Sequence, residues 1–111
     1  MIWTSSLTNE SDLEKVIAAS FKTPQVIFKH STRCSISSMA KNRLERSEMP
    51  DAVQFNLLDL ITYRDISKTI AENFNVPHES PQVLLIKNGA CIYEESHNGI
   101  RMEEIVEEAT K

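Results

Sequence analysis

Apolar residues along the chain follow two alternating spacings, one typical of helices and one typical of buried strands. Helical spacing recurs in four segments, and short runs of β-branched, leucine and aromatic residues separate these segments. The pattern therefore predicts the order α-β-α-β-α-β-β-α. The apolar residues at helical spacing are Leu13, Val16, Ile17 and Phe21; Ile36, Met39, Ala40 and Leu44; Ile66, Ile70, Ala71 and Phe74; and Met102, Ile105, Val106 and Ala109.

The predicted strands are short, and the first of them reads as buried on both faces because Val26-Ile27-Phe28 is uninterrupted. Asn88-Gly89 is a strong signal for a two-residue hairpin turn between the last two strands. A short extra strand near Ile2-Trp3 is compatible with the pattern. The four main strands are predicted over Gln25 to His30, Ala52 to Leu58, Val83 to Ile86 and Ala90 to Glu95.

Polar residues and prolines predict where the helices begin and end. Ser11-Asp12-Leu13-Glu14 has the pattern of a capping box at the start of the first helix. Thr23-Pro24 and Met49-Pro50 end the first and second helices, since the residue before proline disfavours helical dihedrals. The second helix is predicted from Ser35 to about Arg46, and the third from near Thr62 to Phe74.

This order of elements defines an architecture. Strands joined through a helix lie parallel, whereas strands joined by a two-residue turn lie antiparallel. A mixed four-stranded sheet with four helices on its two faces satisfies both conditions, which is a three-layer α/β/α sandwich. No repeat, linker or change of composition divides the chain, so residues 1–111 are predicted to form a single domain.

Composition excludes several classes of function. The chain has 111 residues, 12 Lys and Arg against 16 Asp and Glu, and a formal net charge of -4, which disfavours a nucleic-acid-binding module. No apolar run approaches the length of about 18 residues that indicates a transmembrane helix. The N-terminus lacks the pattern of a signal peptide. We therefore expect a cytoplasmic monomer that binds neither nucleic acid nor membrane.

The candidate chemistry lies where the first buried strand gives way to a helix. Cys34 occupies that junction, and Cys91 is the other cysteine in the chain. A thiolate, not a thiol, is the nucleophile, and the start of a helix stabilises an anion. The first turn after Cys34 carries no acidic residue, although acids are favoured at helix starts. The pattern predicts Cys34 as a catalytic nucleophile.

The helix dipole alone does not supply enough free energy to hold the Cys34 sulfur as a thiolate at neutral pH. It contributes about 0.3–1 kcal/mol, and about 2 kcal/mol in partly buried geometries. We expect the remainder to come from backbone N–H groups, from the hydroxyls of Thr32 or Ser37, and from the charge of Arg33. His30 is a further candidate for the same role. No spacing of cysteine, histidine or carboxylate residues predicts a metal site, because His30 and Cys34 form only a pair.

A second block, from Ser80-Pro81 to Asn88-Gly89, places a proline directly before a buried strand. Proline cannot donate to a β-ladder, and one use for it at this position is a cis peptide bond that exposes neighbouring backbone groups. By the statistics of X–Pro bonds alone, trans is favoured.

Together the two blocks resemble the thioredoxin superfamily over nearly the whole chain, and most closely the monothiol bacilliredoxins of the YtxJ type. Lys29-His30-Ser31-Thr32-Arg33-Cys34 and Ile36-Ser37-Ser38-Met39-Ala40 are similar to that family's active-site block. The resemblance implies a thioredoxin-like fold with Cys34 as nucleophile and Pro81, after Ser80, as the cis-proline. It also implies that Ser37 stands where dithiol relatives have a resolving cysteine.

The resemblance further implies a thiol–disulfide oxidoreductase that removes bacillithiol from S-bacillithiolated proteins through a mixed disulfide on Cys34. Bacillithiol is then a cosubstrate, and no cofactor is bound permanently. Its malate group would attract His30 or Arg33. One departure is that the family usually has proline directly after the cysteine, where this chain has Ser35.

Two other functions remain open at this point. A monothiol glutaredoxin-like iron–sulfur carrier would also use a single exposed cysteine, although that subfamily's Gly-Phe is replaced here by Ser35-Ile36. A redox-inert module that docks a peptide is the other alternative. The other notable side chains are expected to be structural or exposed: Cys91 as a small apolar residue on the far side of the hairpin, Trp3 over one end of the core, and His78 and His97 at the surface.

Overall fold

A five-stranded mixed sheet lies at the centre of the computed structural model, which describes residues 3–48 and 50–111. Ile2 and Met49, which belong to the predicted extra strand and helix stop, lie outside the described residues. The elements in chain order are β1 (Trp3–Ser6), α1 (Glu10–Ala19), β2 (Gln25–His30), α2 (Ser35–Arg46), β3 (Gln54–Asp59), α3 (Arg64–Phe74), β4 (Gln82–Lys87), β5 (Ala90–Ser96), a short 3-10 turn (His97–Gly99) and α4 (Met102–Ala109).

The strands are ordered β1-β3-β2-β4-β5 across the sheet. β3 pairs in parallel with both β1 and β2, whereas β4 is antiparallel to β2 and to β5. The predicted α/β sandwich with a mixed sheet is confirmed, and β1 adds the short fifth strand. β2 and β3 therefore end, at His30 and Asp59, where β4 begins, at Gln82. We call this side of the sheet the upper edge.

Helices cover both faces of the sheet. α2 and α4 pack on one face, and α1 and α3 on the other. Successive residues of a strand point to opposite faces. β2 therefore contributes Val26 and Phe28 to the core under α2 and α4, and Ile27 to the core under α1 and α3. All six residues of β2 are buried, as the uninterrupted apolar run predicted.

The first helix begins earlier than its sequence pattern predicted. Asn9 is the N-cap, and its side-chain oxygen accepts a hydrogen bond of 2.8 Å from the backbone N–H of Asp12. The Asp12 carboxylate in turn accepts hydrogen bonds from the backbone N–H and the hydroxyl of Thr8. The predicted capping box that starts at Ser11 is therefore wrong, because Asn9 caps the helix two residues upstream and the Asp12 carboxylate holds Thr8, the residue before the cap.

Two further boundaries differ from prediction by about two residues. β3 covers Gln54–Asp59 rather than Ala52 to Leu58, and α3 begins at Arg64 rather than near Thr62. The Asp59 carboxylate accepts hydrogen bonds from the backbone N–H groups of Ile61 and Thr62. These bonds form a turn that competes with the helix and delays its start.

Three apolar residues predicted on inner helix faces are exposed instead. Phe21 follows the end of α1, and its ring lies in the turn beside Gly89 rather than under the helix. Ile36 and Met39 of α2 are exposed because the buried stripe of that helix runs through Ser37, Ala40 and Leu44. A buried serine shifts the stripe by one position, and apolar spacing alone cannot reveal that shift.

The hairpin between β4 and β5 forms as predicted. Asn88 and Gly89 have φ angles of 52° and 79°, which suit the tight turns that match the twist of two antiparallel strands. The turn places Cys91 opposite Ile86.

Candidate active site

Cys34 lies at the upper edge of the sheet as the N-cap residue of α2, four residues beyond the end of β2. A hydrogen bond of 3.2 Å from its N–H to the Ser31 carbonyl closes the preceding turn. Its own carbonyl accepts the first helical bond, from the Ser38 N–H at 3.1 Å. The residue is half-buried and its sulfur is free. The fold therefore places a free thiol at the start of a helix.

The start of α2 favours a negative charge at this position. The N–H groups of Ser35, Ile36 and Ser37 precede the first helical bond, so they have no partner within the helix. The first turn contains no acid, whereas Arg43 and Arg46 lie in the last turn. Among the residues that the structure describes, no side chain caps the start of the helix. A thiolate at Cys34 can therefore use donors that a capping side chain would otherwise occupy.

Ser37 is fully buried and does not face the solvent beside the sulfur. Its hydroxyl oxygen accepts a hydrogen bond of 3.0 Å from the backbone N–H of Ser31. The same hydroxyl lies 2.7 Å from Nδ1 of His30, which stacks on the ring of Phe28. Ser37 thus links the end of β2, the first turn of α2 and the turn between them, residues 31–34, which we call the catalytic turn because it carries the predicted nucleophile.

The protonation of His30 decides where the Ser37 hydroxyl proton goes. Burial and, to a smaller extent, the nearby charge of Lys41 lower the pKa of His30, so its imidazole is neutral at pH 7. The arrangement that uses every donor has Ser37 donating to Nδ1 and the imidazole proton on Nε2. In this arrangement the Ser37 hydroxyl contacts His30 and the Ser31 N–H. Its role in holding a thiolate at Cys34 stays a prediction.

The Ser37 contacts yield a prediction about the stability of the catalytic turn. Ser37→Ala leaves the buried Ser31 N–H and His30 Nδ1 without a partner, at a cost of about 1–3 kcal/mol for each buried group. We expect the urea midpoint of unfolding to fall with an unchanged slope. Ser35→Ala is the matched control, since Ser35 lies in the same turn but is exposed. Equal midpoints for the two variants would contradict this prediction.

Pro81 lies at the same edge as the catalytic turn. The Ser80–Pro81 peptide bond is cis, as the resemblance implied. Lys29 pairs with Gln82, so the residues just outside this pair, His30 and Pro81, come together at the upper edge. The Ser80 hydroxyl is buried and, among the described residues, has no hydrogen-bond partner. A buried hydroxyl without a partner is available to a group that enters this edge.

Thr32 and Arg33 occupy the exposed part of the catalytic turn. None of the ion pairs formed within residues 3–48 and 50–111 includes Arg33. Both side chains are therefore free to meet a substrate from the solvent side. His30, by contrast, is only 8% exposed, so the suggestion that it attracts a carboxylate of the small thiol is not supported by its position.

Sequence reasoning missed one polar cluster below this edge. Lys29 is fully buried on the α1 and α3 side, and its ammonium donates a hydrogen bond of 3.0 Å to the Ser67 carbonyl. It also lies 3.3 Å from Nδ1 of His78. His78 is exposed, as predicted, but nothing in the sequence indicated this partner. The position of Lys29 in β2 could have revealed this cluster, because a strand that is buried on both faces must bury every side chain it carries, including a lysine that needs polar partners.

Cys91 has the environment of a structural cysteine. Its half-buried sulfur packs against the core on the α1 and α3 side and donates a hydrogen bond of 3.3 Å to the Tyr93 carbonyl. Burial raises the pKa of the Cys91 thiol, which keeps it protonated at pH 7. The two free cysteines therefore differ in their surroundings: the Cys91 sulfur is hydrogen-bonded to a carbonyl on a strand, whereas Cys34 lies at the start of a helix.

No three His, Cys, Asp or Glu side chains within residues 3–48 and 50–111 are grouped so that they could hold a metal ion. In the same part of the chain, no helix is both long and apolar enough to cross a membrane.

Comparisons with known proteins agree with this geometry. Among solved structures, a proposed oxidoreductase with a thioredoxin fold superposes with a TM-score of 0.83 at 27% identity, covering 96% of this chain and 94% of that one. Thioredoxin from Fasciola hepatica superposes with a TM-score of 0.75 at 18% identity, covering 96% and 97%. Thioredoxin from Malassezia sympodialis gives 0.77 at 18% identity, covering 95% and 90%. These structures establish the thioredoxin fold.

The family follows from a more specific match. The family model described as monothiol bacilliredoxin BrxC matches residues 5–105, which include Cys34, Ser37 and the cis-proline segment. The chain therefore belongs to the monothiol bacilliredoxin family.

Proposed function

We propose that this protein is a thiol–disulfide oxidoreductase that removes bacillithiol from S-bacillithiolated proteins through a mixed disulfide on Cys34. The observation that carries the proposal is a half-buried, free thiol at the N-cap of α2, with the buried hydroxyl of Ser37 where a second thiol would otherwise stand. This arrangement supports one intermolecular exchange and offers no neighbouring thiol for an internal one.

The first step is a thiol–disulfide exchange. The Cys34 thiolate attacks the bacillithiol sulfur of a protein–S–S–bacillithiol substrate, and a Cys34–S–S–bacillithiol bond forms. The substrate sulfur leaves with the electrons of the broken S–S bond and is then protonated to the free thiol. One disulfide is exchanged for another, so the step needs no external oxidant or reductant.

The second step returns Cys34 to its starting state. A second small thiol, or the thiol of a partner protein, attacks the Cys34 adduct and takes bacillithiol away as a new disulfide. Cys91 does not serve this purpose, because its half-buried thiol lies on β5 and is hydrogen-bonded to the Tyr93 carbonyl. Turnover therefore depends on a thiol from outside the chain.

The residues around Cys34 have distinct proposed roles. Backbone N–H groups at the start of α2 hold the thiolate, while Thr32 and Arg33 contact the substrate from the solvent side. The cis bond before Pro81 leaves neighbouring backbone groups at the upper edge for the extended segment of a substrate. The unpartnered Ser80 hydroxyl is a hydrogen-bond donor for the group bound there.

The same proposal includes the setting of the reaction. The proposed location is the cytoplasm, since a reducing compartment keeps Cys34 and Cys91 as free thiols. The proposed active form is a monomer. Bacillithiol is then a cosubstrate rather than a permanently bound cofactor.

Intact-mass spectrometry tests the proposal directly. The wild-type protein is mixed with a peptide whose cysteine is blocked by bacillithiol, in the absence of any other thiol. We expect one bacillithiol adduct per chain, located at Cys34 by peptide mapping, and an equal amount of free peptide thiol. A panel of peptides blocked by glutathione or by cysteine tests the identity of the small thiol. The proposal fails if no adduct forms, or if a peptide–Cys34 disulfide accumulates instead.

A further inference from the structure

A cavity of about 300 Å³ lies beside the upper edge of the sheet, between the loop after β3, the first turns of α3 and the segment before Pro81. Three of the six side chains around it are basic, and none is acidic. Its walls are formed by Leu60, Arg64, Ser67, Lys68, Ala71 and His78.

The basic groups of the cavity are free to pair with a ligand. Arg64 and Lys68 are four residues apart and face the same side of α3. Neither takes part in the ion pairs formed within the described ranges. Glu79, the acid nearest to His78 in sequence, pairs with His97 at 3.4 Å. Within residues 3–48 and 50–111, no carboxylate therefore forms an ion pair with Arg64 or Lys68.

The buried ammonium of Lys29 adds charge directly behind the cavity. Its two hydrogen-bond partners, the Ser67 carbonyl and His78 Nδ1, belong to residues of the cavity wall, and neither partner is anionic. Burial lowers the pKa of Lys29 to about 8, which still leaves it mainly protonated at pH 7. Buried charges are normally paired, so a cation without an anion marks a place that an incoming anion would stabilise.

His78 is oriented by the same contacts. Burial, and then the charge of Lys29, lower the pKa of His78, so its imidazole is neutral at pH 7. Because Nδ1 accepts from Lys29, the imidazole proton lies on Nε2. This leaves one N–H donor for a ligand. The cavity therefore combines an apolar floor with two unpaired cations and a neutral donor.

The cavity adjoins the candidate active site. The Leu60 N–H donates a hydrogen bond of 3.0 Å to the carbonyl of His30, the last residue of β2 before the catalytic turn. His78 lies three residues before Pro81. A larger cavity of about 710 Å³ lies elsewhere, beside the end of α2, but its arginines are engaged: Arg43 by the Ile100 carbonyl and Arg101 by Glu104.

We propose that the cavity at the start of α3 binds the carboxylate end of the small thiol that Cys34 removes, with Arg64 and Lys68 as its ion-pair partners and His78 as a hydrogen-bond donor. The inference rests on the proposed function, because it concerns the small thiol in that reaction. It assigns recognition of the small thiol to α3 rather than to His30, and it favours a thiol with carboxylates at one end.

A binding experiment tests the cavity without any thiol chemistry. Malate, a dicarboxylate, is titrated into isotope-labelled protein while the backbone amide signals are followed by NMR. We expect saturable shifts in residues 64–71 and at His78, and none with uncharged malamide. The double substitution Arg64→Gln/Lys68→Gln is expected to weaken malate binding about tenfold. Lys22→Gln is the control, because exposed Lys22 lies in the loop before β2, at the opposite edge of the sheet.

A kinetic experiment tests the same residues during the reaction. One peptide is blocked by mercaptosuccinate, which carries two carboxylates, and a second by uncharged 2-mercaptoethanol. The wild-type protein is expected to have the higher kcat/KM for the first peptide. In the double variant this advantage falls about tenfold through KM, while the second peptide reacts at an unchanged rate.

The two proposals fail in different ways. If neither of these peptides nor the bacillithiol-blocked peptide reacts with the wild-type protein, the proposed function is wrong. Whenever the two peptides are unreactive, the malate titration alone decides the inference. If both peptides react but the double substitution leaves their ratio unchanged, the inference is overturned and the proposed function stands. Malate shifts that fall outside the cavity, or that persist in the double variant, also overturn the inference.

Discussion

Cys34→Ser is expected to lower the rate of bacillithiol removal by about a thousandfold or more, because a hydroxyl at neutral pH cannot replace the attacking thiolate. The same substitution is expected to stabilise the fold. Cys34 is an N-cap without a side-chain hydrogen bond, and serine is among the preferred N-cap residues, by about 0.5–2 kcal/mol over poor ones. Loss of activity together with a raised melting temperature would separate lost chemistry from lost structure.

Cys91→Ser is the matched control for this experiment, since it removes the other thiol of the chain. We expect its rate to stay within about twofold of the wild-type rate, because the Cys91 sulfur is half-buried and hydrogen-bonded to a carbonyl. Initial rates of peptide thiol release measure both variants. A loss in Cys91→Ser as large as that in Cys34→Ser would show that Cys34 does not act alone.

Lys29→Met is expected to stabilise the protein at pH 7 by about 1–3 kcal/mol. The wild-type fold buries an ammonium group whose hydrogen-bond partners are uncharged. Methionine has a similar length and fills the same space without the cost of removing a charge from water. Urea unfolding at pH 7 measures the difference between the two proteins.

The stability advantage of Lys29→Met over the wild type is also expected to shrink as the pH rises. The pKa of Lys29 is about 8 in the folded protein against 10.5 for the free side chain, so between these values the unfolded chain binds more protons. The free energy of unfolding of the wild type therefore rises with pH across this window, relative to that of Lys29→Met. Below pH 8 both states are protonated, and the full penalty is present.

The difference in stability between the wild type and Lys29→Met separates the titration of Lys29 from that of other groups. Cys91 and Tyr93, whose pKa values are raised by burial, are present in both proteins, so their titration cancels in the difference. Exposed Lys22→Met is the control and is expected to leave the pH dependence unchanged. The expectation is contradicted if Lys29→Met is less stable than the wild type at pH 7, or if the difference is the same at pH 7 and pH 9.5.

Most of the fold could be predicted because local signals agree with the tertiary structure. β2 and α2 have the predicted bounds, since an apolar run and a helical stripe end at clear polar boundaries. The Asn88-Gly89 turn forms because both residues tolerate positive φ angles. Placing Cys34 at the start of α2 required only these two kinds of signal, because the junction between a strand and a helix is a local feature.

The partners of polar side chains could not be predicted in the same way. Ser37 is buried against His30 and the Ser31 N–H only because β2, the catalytic turn and α2 fold together. The sequence alone therefore predicts that the Ser37 hydroxyl contacts the sulfur of Cys34, which is only three residues away in the chain. The exposure of Ile36 and Met39 has the same origin, since burying Ser37 rotates the helix face by one position.

The basic cavity at the start of α3 also depends on tertiary packing. Lys29 and His78 are 49 positions apart in the chain, and their contact exists because β2 pairs with β4 and α3 packs over that face. Sequence spacing carries no information about such a contact. Arg64 and Lys68 read as ordinary surface charges until the cavity between α3 and His78 is known.

The aromatic row on the α2 side of the sheet has a practical consequence. Trp3 is the single tryptophan of the chain, and its ring stacks on Phe28, with the centroids 5.7 Å apart. Phe28 stacks in turn on His30, the residue that contacts Ser37 beside the catalytic turn. Tryptophan fluorescence, excited apart from the two tyrosines, therefore comes from one indole stacked on β2, the strand that leads into the active site. We expect its emission to change when an adduct forms on Cys34, which would follow the reaction in real time without a dye or label.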